Sequence, residues 1–379
     1  MLLALALLTL AAALTLAAQL VAGLRSLPRL SDPLPPLPEP PPRVSVVVAA
    51  RDEARHIATA VTSFLSQDYP AFEVIAVDDR SSDGTGEVLD RIAAGRGRVR
   101  VLHLHELPAG WLGKNHALCR GAELAEGDLL LFTDADIIMR RDALRRAVSL
   151  MAAEGVDHLA VAPRVHTGSG WATTVLAVFL VLFSTVFRPW KARDPKSRFH
   201  IGVGAFNLVR AAAYREIGGH RSIALRPDDD VRLGRALKGA GYRQEAASGR
   251  DSIRVEWYPS LPAMARGLRK NAFAVVEYRL SLVAAGTLLP LVFIFWPVTA
   301  LLVTTGAVWW SNLAIVGLGV LTTGATARGH GLPLWTGLTY PVGSALLVWI
   351  VWAAALRAVW TGSVEWRGTH YSLDKLRGR

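Results

Sequence analysis

Residues 72–85 read FEVIAVDDRSSDGT, an apolar run that closes on two adjacent carboxylates and then breaks into serine, aspartate and glycine. A short run rich in β-branched and aromatic residues, bounded by turn formers, is the pattern of a buried strand, and the cluster after it opens a helix. VSVVVAA (44–50) has the same character and is joined to it by the helix-like stretch Glu53 to Gln67. RVRVLHL (98–104) and DLLLFTDAD (128–136) supply two further strands. Strands alternating with helical stretches from Arg43 to about Tyr258 predict an α/β domain with a mostly parallel, Rossmann-like, nucleotide-binding sheet.

In an open α/β sheet, ligands sit outside the carboxyl ends of the strands. Asp78 and Asp79 end one strand, where a carboxylate can accept hydrogen bonds from a base N–H or a ribose hydroxyl; Ser82 and Asp83 read as helix caps. Thr133-Asp134-Ala135-Asp136 ends another. Residues i and i+2 of a strand face the same side, so Asp134 and Asp136 can address one hard divalent cation bridging a diphosphate. Between them, Gly110-Trp111-Leu112-Gly113-Lys114-Asn115 places a cation, Lys114, in a loop before a helix, where it can pair with a diphosphate. No G-x-x-x-x-G-K-[ST] pattern occurs, which argues against a P-loop kinase or ATPase.

Asp228-Asp229-Asp230 follows Pro227 and opens a helical pattern. Acids in a first turn suit the helix dipole, or one of them serves as a general base whose pKa its neighbours raise. Arg266, Arg269 and Lys270 share a helix face at i, i+3 and i+4, facing either a diphosphate or lipid phosphates, or snorkelling at a membrane surface.

The apolar share is 51% and is concentrated at the two ends of the chain. Met1 to Gly23 carries no charge, and about 23 helical residues reach roughly 35 Å, enough to cross a bilayer core. Residues 1–24 therefore read as a transmembrane anchor, with a cleaved signal peptide as the alternative. Arg25, Arg29 and Arg43 after it place the downstream domain in the cytoplasm, on the inner membrane. The proline-dense residues 25–42 read as a stiff extended spacer, and 43–279 as the catalytic domain. Residues 173–187 form an apolar run too short for a clear span, and site-like motifs lie on both sides of it, so they read as an interfacial helix. Candidate spans at 280–303, 306–327 and 333–356 fill residues 280–356, and a basic tail covers 357–379. Three crossings put that tail outside, whereas Arg357, Arg367, Lys375, Arg377 and Arg379 place it inside; one re-entrant segment would reconcile the two.

Lys and Arg outnumber Asp and Glu by 42 to 31, without the basic–aromatic interleaving that nucleic-acid binding calls for. The single cysteine, Cys119, excludes an internal disulfide and reads as a packed thiol.

VSVVVAARDEA, VDDRSSDGT, GWLGKNHAL, TDAD, IGVGAFNLVRAAAYREIGG and PDDDVRLGRALKGAGY, in this order, resemble an inverting family 2 glycosyltransferase of the GT-A fold over about residues 43 to 280. The resemblance implies that Asp78 and Asp79 bind uridine and that Asp134 and Asp136 hold Mg²⁺ or Mn²⁺ with the diphosphate. It also implies that Asp229-Asp230 is the acidic pair, with Asp230 as base. The Q-x-x-R-W segment of processive synthases is absent; Arg266-Gly267-Leu268-Arg269-Lys270 keeps only Arg269. Val364-Glu365-Trp366-Arg367-Gly368-Thr369-His370-Tyr371 resembles the W-R-G-x-x-Y ending of ceramide-, carotenoid- and hopanoid-associated lipid glycosyltransferases. The implied activity is metal-dependent transfer of one sugar from a nucleotide sugar to a membrane lipid. The alternatives are a processive polysaccharide synthase of the same fold and a noncatalytic membrane scaffold.

Overall fold

The computed structural model describes residues 1–366 and 369–377. The chain divides into two compact units, one of Met1–Ser26, Val165–Arg188 and Glu256–Arg379, the other of Leu27–Arg164 and Pro189–Val255.

In chain order the first elements are α1 (Leu2–Arg25), β1 (Val44–Ala50), α2 (Ile57–Leu65), β2 (Phe72–Asp79), α3 (Thr85–Ala93) and β3 (Val99–Leu104). Then come α4 (Gly113–Leu124), β4 (Leu129–Asp134), β5 (Ile138–Met139), α5 (Ala143–Ala153), β6 (His158–His166) and α6 (Gly170–Phe187). They are followed by β7 (Asn207–Arg210), α7 (Ala211–Glu216), α8 (Asp229–Gly239), β8 (Gln244–Glu256) and α9 (Leu261–Ala272). The remainder is α10 (Leu280–Pro290), α11 (Trp296–Val303), α12 (Gly306–Gly329), α13 (Tyr340–Thr361), the hairpin β9 (Ser363–Trp366) and β10 (Thr369–Ser372), and α14 (Leu373–Leu376).

Among the described residues the sheet has eight strands in the order β3-β2-β1-β4-β7-β6-β8-β5. The first four run parallel, and β7 pairs antiparallel with both β4 and β6. The sheet is thus mixed, with the expected parallel half extended by antiparallel strands. β1 is central to the parallel half: Ala49 pairs with Val77 on one side and Asp134 on the other, so Asp78, Asp79 and Asp134 leave the sheet at one edge. Val46, Val47, Val48, Ile75, Val77, Leu130 and Leu131 are each no more than 1% exposed, as strands covered on both faces must be. β4 ends at Asp134, and Asp136 lies in the turn after it. The same-face argument for Asp134 and Asp136 as members of one strand therefore does not apply; a turn brings them together.

Two other expectations change. The helix expected from Glu53 begins only at Ile57. The amides of Asp52, Glu53 and Ala54 bond to the side chains of Ser81, Thr85 and Asp83, so this stretch is tied to the turn after β2. The proline-dense segment is extended but is not a free spacer. Leu30 is fully buried; its amide donates to the Ser248 carbonyl, and the Ser248 amide donates to the Pro28 carbonyl, both at 2.9 Å. The Tyr69 hydroxyl donates to the Pro42 carbonyl at 2.6 Å.

In the other unit, the described residues include five helices long and apolar enough to cross a membrane: Leu2–Arg25, Gly170–Lys191, Leu280–Val303, Gly306–Gly329 and Tyr340–Thr361. The last starts later than the expected 333, because Leu334–Gly337 forms a separate 3-10 turn after Pro333. The helix expected at 173–187 starts at Gly170, capped by Ser169, whose hydroxyl accepts from the Ala172 amide.

Gly121 on α4 lies against the sheet; a Cβ there would come within 2.5 Å of Val47 Cγ1 and 3.0 Å of Val77 Cγ2. Gly121→Val should overpack this layer and cost about 1–3 kcal/mol. Thermal unfolding of the detergent-solubilised protein checks it, and an unchanged melting temperature would contradict the packing described.

Candidate active site

The acidic edge of the sheet is built by four loops. Asp78 and Asp79 end β2 and are 7% and 3% exposed. Asp79 is gripped by its neighbour: Arg80 Nε and Nη2 donate to its two oxygens at 2.8 and 3.0 Å. Asp78 accepts the Ser81 amide at Oδ1, 3.3 Å, and faces His103 Nδ1 at Oδ2, 3.2 Å.

Lys114 in the first turn of α4 joins two of the other loops. Its Nζ is 2.9 Å from Asp134 Oδ1 and 3.2 Å from Asp229 Oδ2. Burial alone would lower its pKa, but the charges of Asp134, Asp229 and Asp230 outweigh that and raise it, so Lys114 is a fixed cation. Asn115, next in the chain, donates to the carbonyls of Ile223 and Arg226 at 2.9 Å, tying the start of α4 to the segment that enters α8.

Asp230 accepts the Gly204 amide at Oδ2, 2.7 Å, and its following amide, Val231, at Oδ1, 2.8 Å. Burial, with Asp229 beside it, pushes its pKa up to about 7. Asp228 has a different task, since Arg226 and Arg232 pair with its two oxygens at 3.2 and 2.8 Å. Asp136 is also pushed up to about 7, by burial and then by Asp134 and Glu53. Gly204 stands between two of these acids: a Cβ there would come 2.9 Å from Asp134 Oδ2 and 3.5 Å from Asp230 Oδ2. A small cavity lined by Lys114, Thr133, Asp134, Asn207, Asp229 and Asp230 lies at this junction.

The structure thus brings Lys114, Asp134, Asp229 and Asp230 together, with Asp136 close enough to feel the charge of Asp134 and Lys114. Asp78 and Asp79 share the same sheet edge. Arg266 and Arg269 are exposed on α9, in the unit that does not carry the carboxylates, and Lys270 belongs to the same helix. Of the tail motif, Arg367 and Gly368 lie outside the described residues. Sequence reading missed Arg80, His103, Asn115 and Gly204. The glycine pair of IGVGAF was a visible signal for the last; nothing local marked the others.

A mixed sheet with clustered carboxylates at its parallel carboxyl edge and a lysine among them is an α/β domain with a ligand-type site outside the carboxyl ends of its strands. Residues 45–218 match the family described as Glycosyl transferase family 2. The chain is 33% identical over 110 residues to a putative teichuronic acid biosynthesis glycosyltransferase of Bacillus subtilis, covering 29% of this chain and 42% of that protein. It is 33% identical over 122 residues to a beta-monoglucosyldiacylglycerol synthase of Trichormus variabilis, covering 32% of this chain and 26% of that one. The matched stretches thus span less than half of these relatives. A mannosyltransferase of Pyrobaculum calidifontis, solved with GDP-Man and Mn²⁺, has the same fold over 95% of this chain and 99% of its own, at TM-score 0.56 and 22% identity.

Without metal, the folded protein keeps protons on Asp230 and Asp136 up to about pH 7, whereas the unfolded chain releases them near about pH 4. Between those values the folded state binds more protons, so stability falls as pH rises through them. In the presence of a chelator, the melting temperature should drop from about pH 5 to about pH 7.5, and Asp230→Asn with Asp136→Asn should flatten that slope. A wild-type curve that is already flat would refute the electrostatics of the site.

Proposed function

We propose that the protein is an inverting glycosyltransferase that moves a sugar from a nucleotide sugar, UDP-linked, to a lipid acceptor in the membrane. The observation that carries the reading is Asp230, a half-buried carboxyl with its proton affinity raised to about 7, positioned by the Gly204 amide beside Asp134 and Lys114. A general base works best when its pKa lies near the operating pH.

In this reading Asp78 and Asp79 take the nucleoside. Asp134 and Asp136 fit a Mg²⁺ or Mn²⁺ ion, being carboxylates whose mutual repulsion a hard cation relieves. The chemistry such an ion supplies is charge compensation for the departing diphosphate. Lys114 adds a permanent positive charge beside Asp134. Asp230 accepts the proton of the acceptor hydroxyl while its oxygen attacks the anomeric carbon. The bond from that carbon to the diphosphate breaks on the opposite face, and the configuration inverts. Arg266, Arg269 and Lys270 are assigned to phosphate groups, of a diphosphate or of lipids.

A lipid acceptor accords with the five long apolar helices, with the W-R-G-x-x-Y tail and with the name of the Trichormus relative. Arg25, Arg29 and Arg43 favour a multi-pass protein of the inner membrane with the catalytic domain on the cytoplasmic side. Residues 173–187, apolar and with site-like motifs before and after them in the sequence, are assigned to a helix lying on or dipping into the membrane. The proposed division is anchor 1–24, linker 25–42, transferase domain 43–279, membrane helices 280–356 and tail 357–379.

Membranes carrying the protein, given labelled UDP-sugars and Mn²⁺, should yield a singly glycosylated lipid by mass spectrometry. Asp230→Asn should lower the transfer rate about 10²–10⁴-fold while leaving UDP binding intact. A polymeric product, or full activity in Asp230→Asn, would overturn the reading.

A further inference from the structure

The two carboxylates at the end of β2 are held by unlike partners. Asp79 has the guanidinium of its own neighbour, Arg80, which stays charged at any physiological pH. Asp78 has His103, its register partner on the adjacent parallel strand β3. The ring of His103 bridges two acids: Nδ1 lies 3.2 Å from Asp78 Oδ2, and Nε2 lies 3.0 Å from Asp90 Oδ1 on α3. Exposure rises along this chain. Asp78 is buried, the His103 side chain is 34% exposed and that of Asp90 is 60% exposed.

A ring with a carboxylate at each nitrogen makes both hydrogen bonds only when both nitrogens carry protons. The hydrogen bonds to Asp90 and then Asp78 raise the pKa of His103 accordingly. The space for this bridge is reserved by Gly86, where a Cβ would come 2.8 Å from Asp78 Oδ2 and 3.3 Å from His103 Cε1. Three separate elements, β2, β3 and α3, therefore converge on one buried oxygen. With Ser81 N–H on Oδ1 and the imidazole on Oδ2, the Asp78 carboxylate is fixed in rotation, and its remaining lone pairs are left for an incoming N–H or O–H donor.

We propose that His103 is a positioning residue of the nucleotide subsite, clamped by Asp90 so that it aims Asp78 at the base N–H or ribose hydroxyl of the bound nucleoside diphosphate. This role rests on the nucleotide-sugar reading above. Asp90 acts as the outer anchor of the ring, in the manner of an acid that orients a histidine whose other nitrogen does the work.

Isothermal titration of the full detergent-solubilised chain with UDP and with GDP, in Mn²⁺, tests it. Binding of either by the wild type establishes the subsite; failure to bind both overturns the nucleotide-sugar reading itself and this role with it. His103→Leu should weaken the bound nucleotide roughly tenfold through loss of a charge-assisted hydrogen bond. His103→Asn, whose amide reaches about where Nδ1 does, should restore affinity to within about threefold of wild type. Asp90→Asn, on the surface and away from the core, should weaken binding about threefold without lowering the melting temperature. Wild-type affinity in His103→Leu overturns the proposal. So does equal loss in His103→Leu and His103→Asn, because a purely structural role would not discriminate between them by hydrogen-bonding capacity.

Discussion

The site depends on one ammonium group. Asp134, Asp229 and Asp230 converge from the end of β4 and the start of α8, and like charges about 4 Å apart repel by about 4 kcal/mol at an effective dielectric of 20. Lys114 Nζ, within 3.2 Å of both Asp134 and Asp229, offsets that repulsion and draws two sequence-distant segments onto the first turn of α4. Its effect is uneven. Asp229 has the lysine as a direct partner, whereas Asp230 keeps a raised proton affinity because burial and Asp229 outweigh the more distant help from Lys114. One cation therefore leaves two adjacent carboxyls unequal, Asp229 paired with it directly and Asp230 with its pKa raised.

Close backbone approach is the second requirement, and glycine meets it. A side chain at Gly113 would collide with the Asp79 carboxylate and the Arg80 guanidinium, and one at Gly202 with the backbone carbonyl of Asp230. Gly113 opens the helix whose Lys114 and Asn115 bond to the segments around it, and Gly202 lies two residues before the Gly204 amide that bonds Asp230, so the loops are locked by polar bonds and admitted by missing side chains. Such a site is fixed before any ligand arrives, which is what electrostatic stabilisation of a transition state requires.

The parallel strands were legible to within two residues because they are buried on both faces, and continuous β-branched runs have few other uses. The acidic pairs were legible because a strand end in such a sheet is a ligand position wherever it occurs. What the sequence hid is where polar side chains spend their hydrogen bonds. Residues 53–56 read as helix, yet Ser81, Asp83 and Thr85 claim the amides at 52–54, and the helix waits until Ile57. Leu30 reads as part of a stiff spacer, but a strand-like bridge to Ser248 buries it, a contact across more than two hundred residues that local composition does not encode. His103 was invisible for the same reason: its meaning lies in the β2–β3 register, which sets it beside Asp78.

The change of strand direction at β7 explains how the segment that fixes Asp230 meets the carboxylates of the parallel strands. In the parallel half, every strand delivers its outgoing chain to the carboxyl edge, which is how Asp78, Asp79 and Asp134 arrive there. A fifth parallel strand would bring only another outgoing loop. β7 runs antiparallel to β4, with Asn207 opposite Phe132, so it is the incoming segment, Gly202 to Phe206, that reaches this edge. That segment carries the Gly204 amide that fixes Asp230 and the Ala205 carbonyl that accepts the Thr133 hydroxyl at 2.8 Å. The reversed strand lets residues that follow α6 in the chain bond to the same edge that holds Asp78, Asp79 and Asp134.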